Sequence, residues 1–169
     1  IGLFSRPAGV YVWPGFLTTL PHRQMLSGFA EMMKHALIGD AGFWKKLTKI
    51  PMAVVTNWED HILTAIKIKS KIVNLDPNEK GIRRQLNFGH TIGHAFETYS
   101  LRNDASPLTH GEAVAMGMIC EAYISYRTLG FNHMERDEVV KNILLNFSHY
   151  KIPSIAIDEL VEITHYDKK

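Results

Sequence analysis

Cysteine is nearly missing from this sequence. Cys120 stands alone among 169 residues, which excludes an internal disulfide and favours a reducing, cytoplasmic setting. It falls in an apolar helical pattern with Met116, Ile119 and Tyr123 and reads as a packed thiol, not a nucleophile. Charge of one sign is lacking as well. Lys and Arg number 19 against 17 Asp and Glu, a formal net charge of +2, and there is no basic run to hold nucleic acid. No stretch approaches the roughly 18 consecutive apolar residues of a membrane span, and no secretory signal is recognisable. Internal repeats, low-complexity segments and a GxGxxG dinucleotide fingerprint are all absent. The expected class is a globular domain that meets neither membrane nor nucleic acid.

What is there is mostly helical periodicity. Residues 9–13 (Gly9-Val-Tyr-Val-Trp13) form one short β-like run closed by Pro14-Gly15, and a lone strand needs a partner sheet. From Pro21 the 3.6-residue period takes over. Leu26, Phe29, Met33 and Leu37 mark a helix that Gly39-Asp40 stops. Further helices are expected over 41–50, 58–75 (broken by Asp76-Pro77), 83–100, 110–129 (ended by Gly130), 134–147 and 157–164. The division is a strand and linker over 1–20 followed by a helical domain over 21–169.

The segment Leu86-Asn-Phe-Gly-His90-Thr-Ile-Gly-His94-Ala-Phe-Glu97 carries most of the chemistry. A spacing of four sets His90 and His94 on one helical face, a common way to present two imidazoles to a zinc-like ion. Thr91 stands where a zinc protease would have glutamate, so this is not an HExxH site. The alternative is a pair of packed, hydrogen-bonded helix histidines. Gly89 and Gly93 each cost a helix about 1 kcal/mol relative to alanine, which points to a close backbone or ligand approach. Glu31 sits among apolar residues of its own helix and is costly to bury unless ion-paired, with Lys34 or Arg23, or metal-bound. His110 opens another helix. One carboxylate with two imidazoles is the donor set of a catalytic ion with an open position. Lys34, Lys69, Arg83 and Asn87 fall on or beside the same helices, with Asn87 one turn from Arg83 on the His90 helix. They fit an anionic substrate, or else a solvated face.

Taken together, the motifs Gly28-Phe-Ala-Glu-Met-Met-Lys34, Lys69 with Asp76, Glu79-x-x-x-Arg83, Leu86-Asn-x-Gly-His-Thr-x-Gly-His-Ala-x-Glu97 and His110-Gly-Glu-Ala-Val-Ala-x-Gly-Met118 resemble 3-dehydroquinate synthase in order and spacing. The resemblance implies the helical C-terminal domain of that family. Its N-terminal strand would pair with a nucleotide-binding domain outside these residues, and the 169 residues alone would be inactive. It further implies Glu31, His90 and His110 as ligands of a divalent ion, zinc or cobalt, with His94 moved from the metal to the substrate. His94 and Glu79 become catalytic; Lys34, Lys69, Arg83, Asn87 and Lys168 contact substrate. The family is a phosphorus-oxygen lyase of the shikimate pathway of aromatic amino acid biosynthesis. It uses NAD and metal to convert the sugar phosphate 3-deoxy-D-arabino-heptulosonate 7-phosphate to 3-dehydroquinate and phosphate, in the cytoplasm and as a homodimer.

Three rivals stand beside this. Other sugar-phosphate cyclases share the metal triad but change the positions of Asn87 and His94, which here match the dehydroquinate pattern. Glycerol and iron-type alcohol dehydrogenases share the fold but have no use for the Lys69/Arg83/Asn87 set. A non-catalytic helical binding module would show the polar cluster without metal.

Overall fold

Each helix begins or ends on a local signal that the sequence carries. A computed structural model describes residues 7–49 and 51–165, so Lys168 lies outside the described residues. Helix α1 (His22–Gly39) starts where the Pro21 carbonyl takes the amides of Gln24 and Met25. Asp40 ends it in extended conformation and caps α2 (Ala41–Leu47) by accepting the Phe43 N–H at 2.9 Å. Asn57 caps α3 (Trp58–Leu75), with Glu59 and Asp60 favourably placed against the positive end of the helix dipole. Thr109 and Glu112 form a reciprocal capping box on α5 (His110–Leu129), which Gly130 closes at φ 74°. Helices α6 (His133–Asn146) and α7 (Ile157–His165) follow. The mostly helical expectation holds.

The helix expected over 83–100 is instead two elements. A 3₁₀ helix spans Ile82–Asn87, and α4 runs His90–Asn103. Between them Gly89 takes φ 78°, a left-handed corner that a side chain resists. Arg83 and Asn87 therefore sit on the 3₁₀ turn, not on the His90 helix, which corrects the one-turn spacing expected of them. No strand occurs among the described residues. Trp13 is extended and Val10, Tyr11, Val12 and Trp13 lie exposed, followed by a 3₁₀ helix at Pro14–Thr19.

Helix α5 is the centre of the bundle, with α1, α4 and α6 packed around it; α7 lies on α4, and α2 and α3 lie on α1. Phe29, Met33, Leu47, Val114, Met118 and Ile143 are fully buried, each contributing roughly 1.5–3 kcal/mol by leaving water. Small residues set how near the axes come. A Cβ on Gly117 would meet the Gly89 carbonyl oxygen at 2.0 Å, and one on Gly111 would meet Ser27 Cα at 2.3 Å. The close approach read from Gly89 and Gly93 is thus to the backbone of α5. It brings the first residues of α4 and α5 up to the middle of α1.

Candidate metal and substrate site

Three helices deliver the site. Glu31 comes from mid-α1, His90 and His94 from the first two turns of α4, and His110 from the first position of α5. Glu31 Oε1 lies 3.4 Å from His90 Nε2 and 3.8 Å from His110 Nε2. It is buried and has no hydrogen-bond partner. The other oxygen, Oε2, accepts from Lys34 Nζ at 2.7 Å. The ion-pair expectation for Glu31 is met through Oε2, with Lys34 as the partner, while Oε1 faces the two imidazoles; Arg23 pairs elsewhere, with Glu112. Burial opposes the charge on Glu31, but the Lys34 ammonium, by charge and hydrogen bond, holds the carboxyl below its ordinary range.

The two imidazoles facing Glu31 are fixed from behind. His90 Nδ1 is 3.2 Å from the Phe88 carbonyl oxygen, and His110 Nδ1 is 3.2 Å from Glu97 Oε2. Both partners only accept, so Nδ1 carries the proton in each neutral ring and Nε2 presents its lone pair toward Glu31. Two nitrogen lone pairs and a carboxylate oxygen converge with no hydrogen-bond donor on that oxygen. Such a set repels itself unless a cation or proton enters it. His94 belongs to the same knot: its ring centroid is 5.4 Å from that of His90 and 5.7 Å from that of His110. One ligand nitrogen from each of the three histidines lies within 4.8 Å of the others.

Substrate-side candidates gather in a cleft of about 270 Å³ lined by Glu31, Lys34, Lys69, Glu79, Arg83, Asn87, His90 and His110. Asp76 organises its outer wall. Its carboxylate accepts the N–H groups of Lys80, Gly81 and Arg83 at 3.0, 2.7 and 3.1 Å. Those backbone bonds, from Lys80 first, hold its pKa below the usual carboxylate value. The tight loop sets Glu79 at φ 55°, the one positive φ of a non-glycine among the described residues, a strained conformation of the kind found at functional sites. Asn87 Nδ2 donates to Glu79 Oε1 at 2.9 Å, and Arg83 Nη1 donates to the Pro77 carbonyl. His94 opens on a second groove of about 450 Å³, with Thr98, Arg102, Glu159 and Glu162. Every predicted site residue except Lys168, which lies outside the described residues, is thus at this locus.

Of three residues that support it, sequence reasoning assigned Glu97 and Glu121 no role and offered Arg23 only as an ion partner of Glu31. Glu97, quoted only within the motif, is seven residues beyond His90 and so on the same face of α4; that spacing was a usable signal. Arg23 and Glu121 act across 89 and 32 residues, and nothing local marks them.

No helix among the described residues is long and apolar enough to cross a membrane. Comparison with known proteins gives one consistent answer. The chain is 39% identical over 175 residues to a 3-dehydroquinate synthase of Bacillus mycoides (strain KBAB4), covering 100% of this chain and 47% of that protein. It is 37% identical over 171 residues to a 3-dehydroquinate synthase of Parabacteroides distasonis, covering 100% and 48%. The chain thus spans just under half the length of these relatives. A crystal structure of 2-deoxy-scyllo-inosose synthase, complexed with carbaglucose-6-phosphate, NAD+ and Co2+, is similar to 89% of this chain and 42% of its own, with a TM-score of 0.72 and 27% identity. Residues 28–169 match the family described as 3-dehydroquinate synthase C-terminal, and the chain belongs to that family.

Proposed function

We propose that these residues form the metal- and substrate-holding half of a 3-dehydroquinate synthase. That enzyme takes 3-deoxy-D-arabino-heptulosonate 7-phosphate to 3-dehydroquinate and phosphate with NAD and a divalent ion. The observation that carries the reading is Glu31 Oε1, buried without a donor and facing two Nε2 atoms whose Nδ1 atoms are already anchored. One hard oxygen and two imidazole nitrogens suit zinc or cobalt and leave room for a substrate oxygen. Glu31, His90 and His110 would hold the ion. When bound, it supplies Lewis-acid polarisation of a substrate hydroxyl or carbonyl oxygen.

The remaining roles belong to the chain's own side chains. Lys34, Lys69 and Arg83 line the cleft as cations for the carboxylate and phosphate of the substrate, and much of their effect is positioning. Asn87, held by Glu79, orients the substrate from the same wall. His94 lies against His90 and His110 yet opens on the neighbouring groove, a place from which it can pass a proton beside the metal without leaving its helix. Glu79 is the acid of the cleft closest to Asn87. Lys168 as a further substrate contact, zinc as the resident ion, a homodimer and a cytoplasmic location rest on the family resemblance.

A second reading is another sugar-phosphate cyclase, favoured by the likeness to the inosose synthase. One experiment separates them. The native full-length protein, loaded with zinc or cobalt and NAD, is offered the heptulosonate phosphate and glucose 6-phosphate. Dehydroquinate and phosphate from the first alone support the proposal; an inosose from the second overturns it in favour of the other cyclase.

A further inference from the structure

The peptide group joining Phe88 to Gly89 is held at both ends. Its N–H, on Gly89, donates to Glu121 Oε2 at 2.8 Å, and its C=O, on Phe88, faces His90 Nδ1 at 3.2 Å. Glu121 sits in mid-α5, 32 residues away in sequence. The corner it touches has no help of its own: Gly89 is left-handed at φ 78°, no side chain caps α4 and no acid lies in its first turn. Gly117, one turn before Glu121 on α5, lets the Gly89 carbonyl come close enough that any Cβ there would collide at 2.0 Å. The line of contacts therefore runs from the Glu121 carboxylate through one amide to the His90 imidazole, whose Nε2 looks at Glu31 Oε1.

Resting on the metal site proposed above, we propose that Glu121 is a positioning residue for His90, acting through the Phe88–Gly89 peptide. A carboxylate on the N–H polarises the amide and makes the Phe88 oxygen a stronger acceptor. That fixes the His90 tautomer and ring plane and raises the basicity of Nε2, the effect a direct carboxylate partner has on a metal-bound histidine. His110 has such a direct partner in Glu97; for His90 the peptide is interposed. The same bond sets the angle between the 3₁₀ turn bearing Arg83 and Asn87 and the helix bearing His90 and His94. The negative charge also lies where the α4 dipole favours it.

The test uses the native full-length protein with Co2+ as probe, and three variants. Glu121→Ala removes the acceptor; Glu121→Gln keeps one; Val139→Ala damages the core on α6 and calibrates general destabilisation. Expected are a Co2+ affinity about tenfold or more weaker in Glu121→Ala, an intermediate affinity in Glu121→Gln, which keeps an acceptor without the charge, and hydrogen exchange of the Gly89 amide that is fastest in Glu121→Ala. Wild-type Co2+ affinity in Glu121→Ala overturns the role, as does a loss no greater than in Val139→Ala or a Gly89 amide that exchanges as before. Should Glu121→Ala fail to fold, Glu121→Gln decides: Co2+ affinity weaker by about threefold or more with faster Gly89 exchange at unchanged melting temperature supports the role, and wild-type affinity and protection overturn it. A wild-type protein that binds no Co2+ overturns the metal centre itself, which separates that failure from one confined to Glu121.

Discussion

Arg23, in the first turn of α1, grips Glu112 of α5 with two nitrogens, Nε at 2.8 Å and Nη2 at 2.6 Å, and Nη2 also donates to the Pro107 carbonyl. Glu112 in turn accepts the Thr109 N–H at 2.7 Å and completes the capping box. One carboxylate thus ties α1, the 104–109 loop and the start of α5 together, directly beside His110.

Glu112→Ala should cost more stability than Arg23→Ala, because it removes a helix cap as well as an ion pair. A cap is worth about 1 kcal/mol, while an ion pair this exposed on the arginine side adds less than about 1 kcal/mol. Burial opposes the Glu112 charge, but Arg23 and Thr109 together hold its pKa below the ordinary value of 4.5. The folded state therefore binds the proton less readily than the unfolded chain. This contribution is fully present above about pH 4.5 and fades as pH falls through the lower folded pKa. Urea unfolding of both variants at pH 7 and pH 3.5 checks this: the gap between wild type and Glu112→Ala should shrink at the lower pH.

The histidines should separate by function. His110→Ala and His90→Ala each remove a proposed ligand and should lose both metal and turnover in the native full-length protein. His94→Ala should keep the metal and lose most turnover, since it leaves Glu31, His90 and His110 in place while removing the ring that opens on the neighbouring groove. Metal content measured alongside dehydroquinate formation decides this. Equal metal loss in His94→Ala and His110→Ala would assign the ion to the three histidines instead.

Most of the fold was legible because its boundaries are local. The stops at Asp40 and Gly130 and the helix starts at residues 58 and 110 are read correctly from neighbouring residues alone. The break at Phe88-Gly89 was not, since a single glycine in a helical pattern carries the same local cost whether the helix continues or turns. What decides between them is Gly117, on another helix, which gives the Gly89 carbonyl room. The site followed the same rule. His90 and His94 announce themselves by spacing, and Glu31 by its cost on an apolar face. Arg23 and Glu121 look like ordinary surface charges until the fold places them, and the division of Glu31 into a Lys34-facing and a histidine-facing oxygen is a tertiary fact.

Gly117 offers a direct check on that packing. A methyl group at this position would meet the Gly89 oxygen at 2.0 Å and the Gly93 nitrogen at 2.7 Å, both backbone atoms that cannot swing aside. Gly117→Ala should destabilise by about 2–3 kcal/mol through overpacking, despite the better helix propensity of alanine. It should also move His90 away from His110 and weaken Co2+ binding. Thermal unfolding with and without Co2+ reads both effects. A variant as stable as wild type would show that α4 and α5 can part without consequence.

His35 provides the clearest dependence on pH. It is buried on α1, and neither ring nitrogen has a hydrogen-bond partner. Burial first, and then the charge of neighbouring Lys34, push its pKa down from 6.5 to about 4. Between those values the unfolded chain takes up a proton that the folded protein refuses, so folding stability falls as pH drops from 6.5 toward 4. A shift of that size corresponds to roughly 3 kcal/mol at the acid end. His35→Leu removes both the titration and the two unsatisfied nitrogens at nearly constant volume. At pH 7 it should be neutral or stabilising, because a buried polar atom without a partner costs about 1–3 kcal/mol. Urea unfolding of metal-free protein from pH 7.5 to 4.5 is the measurement, and the difference between the two proteins isolates His35 from Glu31 and the site histidines. The variant should lose distinctly less stability over that range than wild type, and parallel curves would show that His35 is not held neutral.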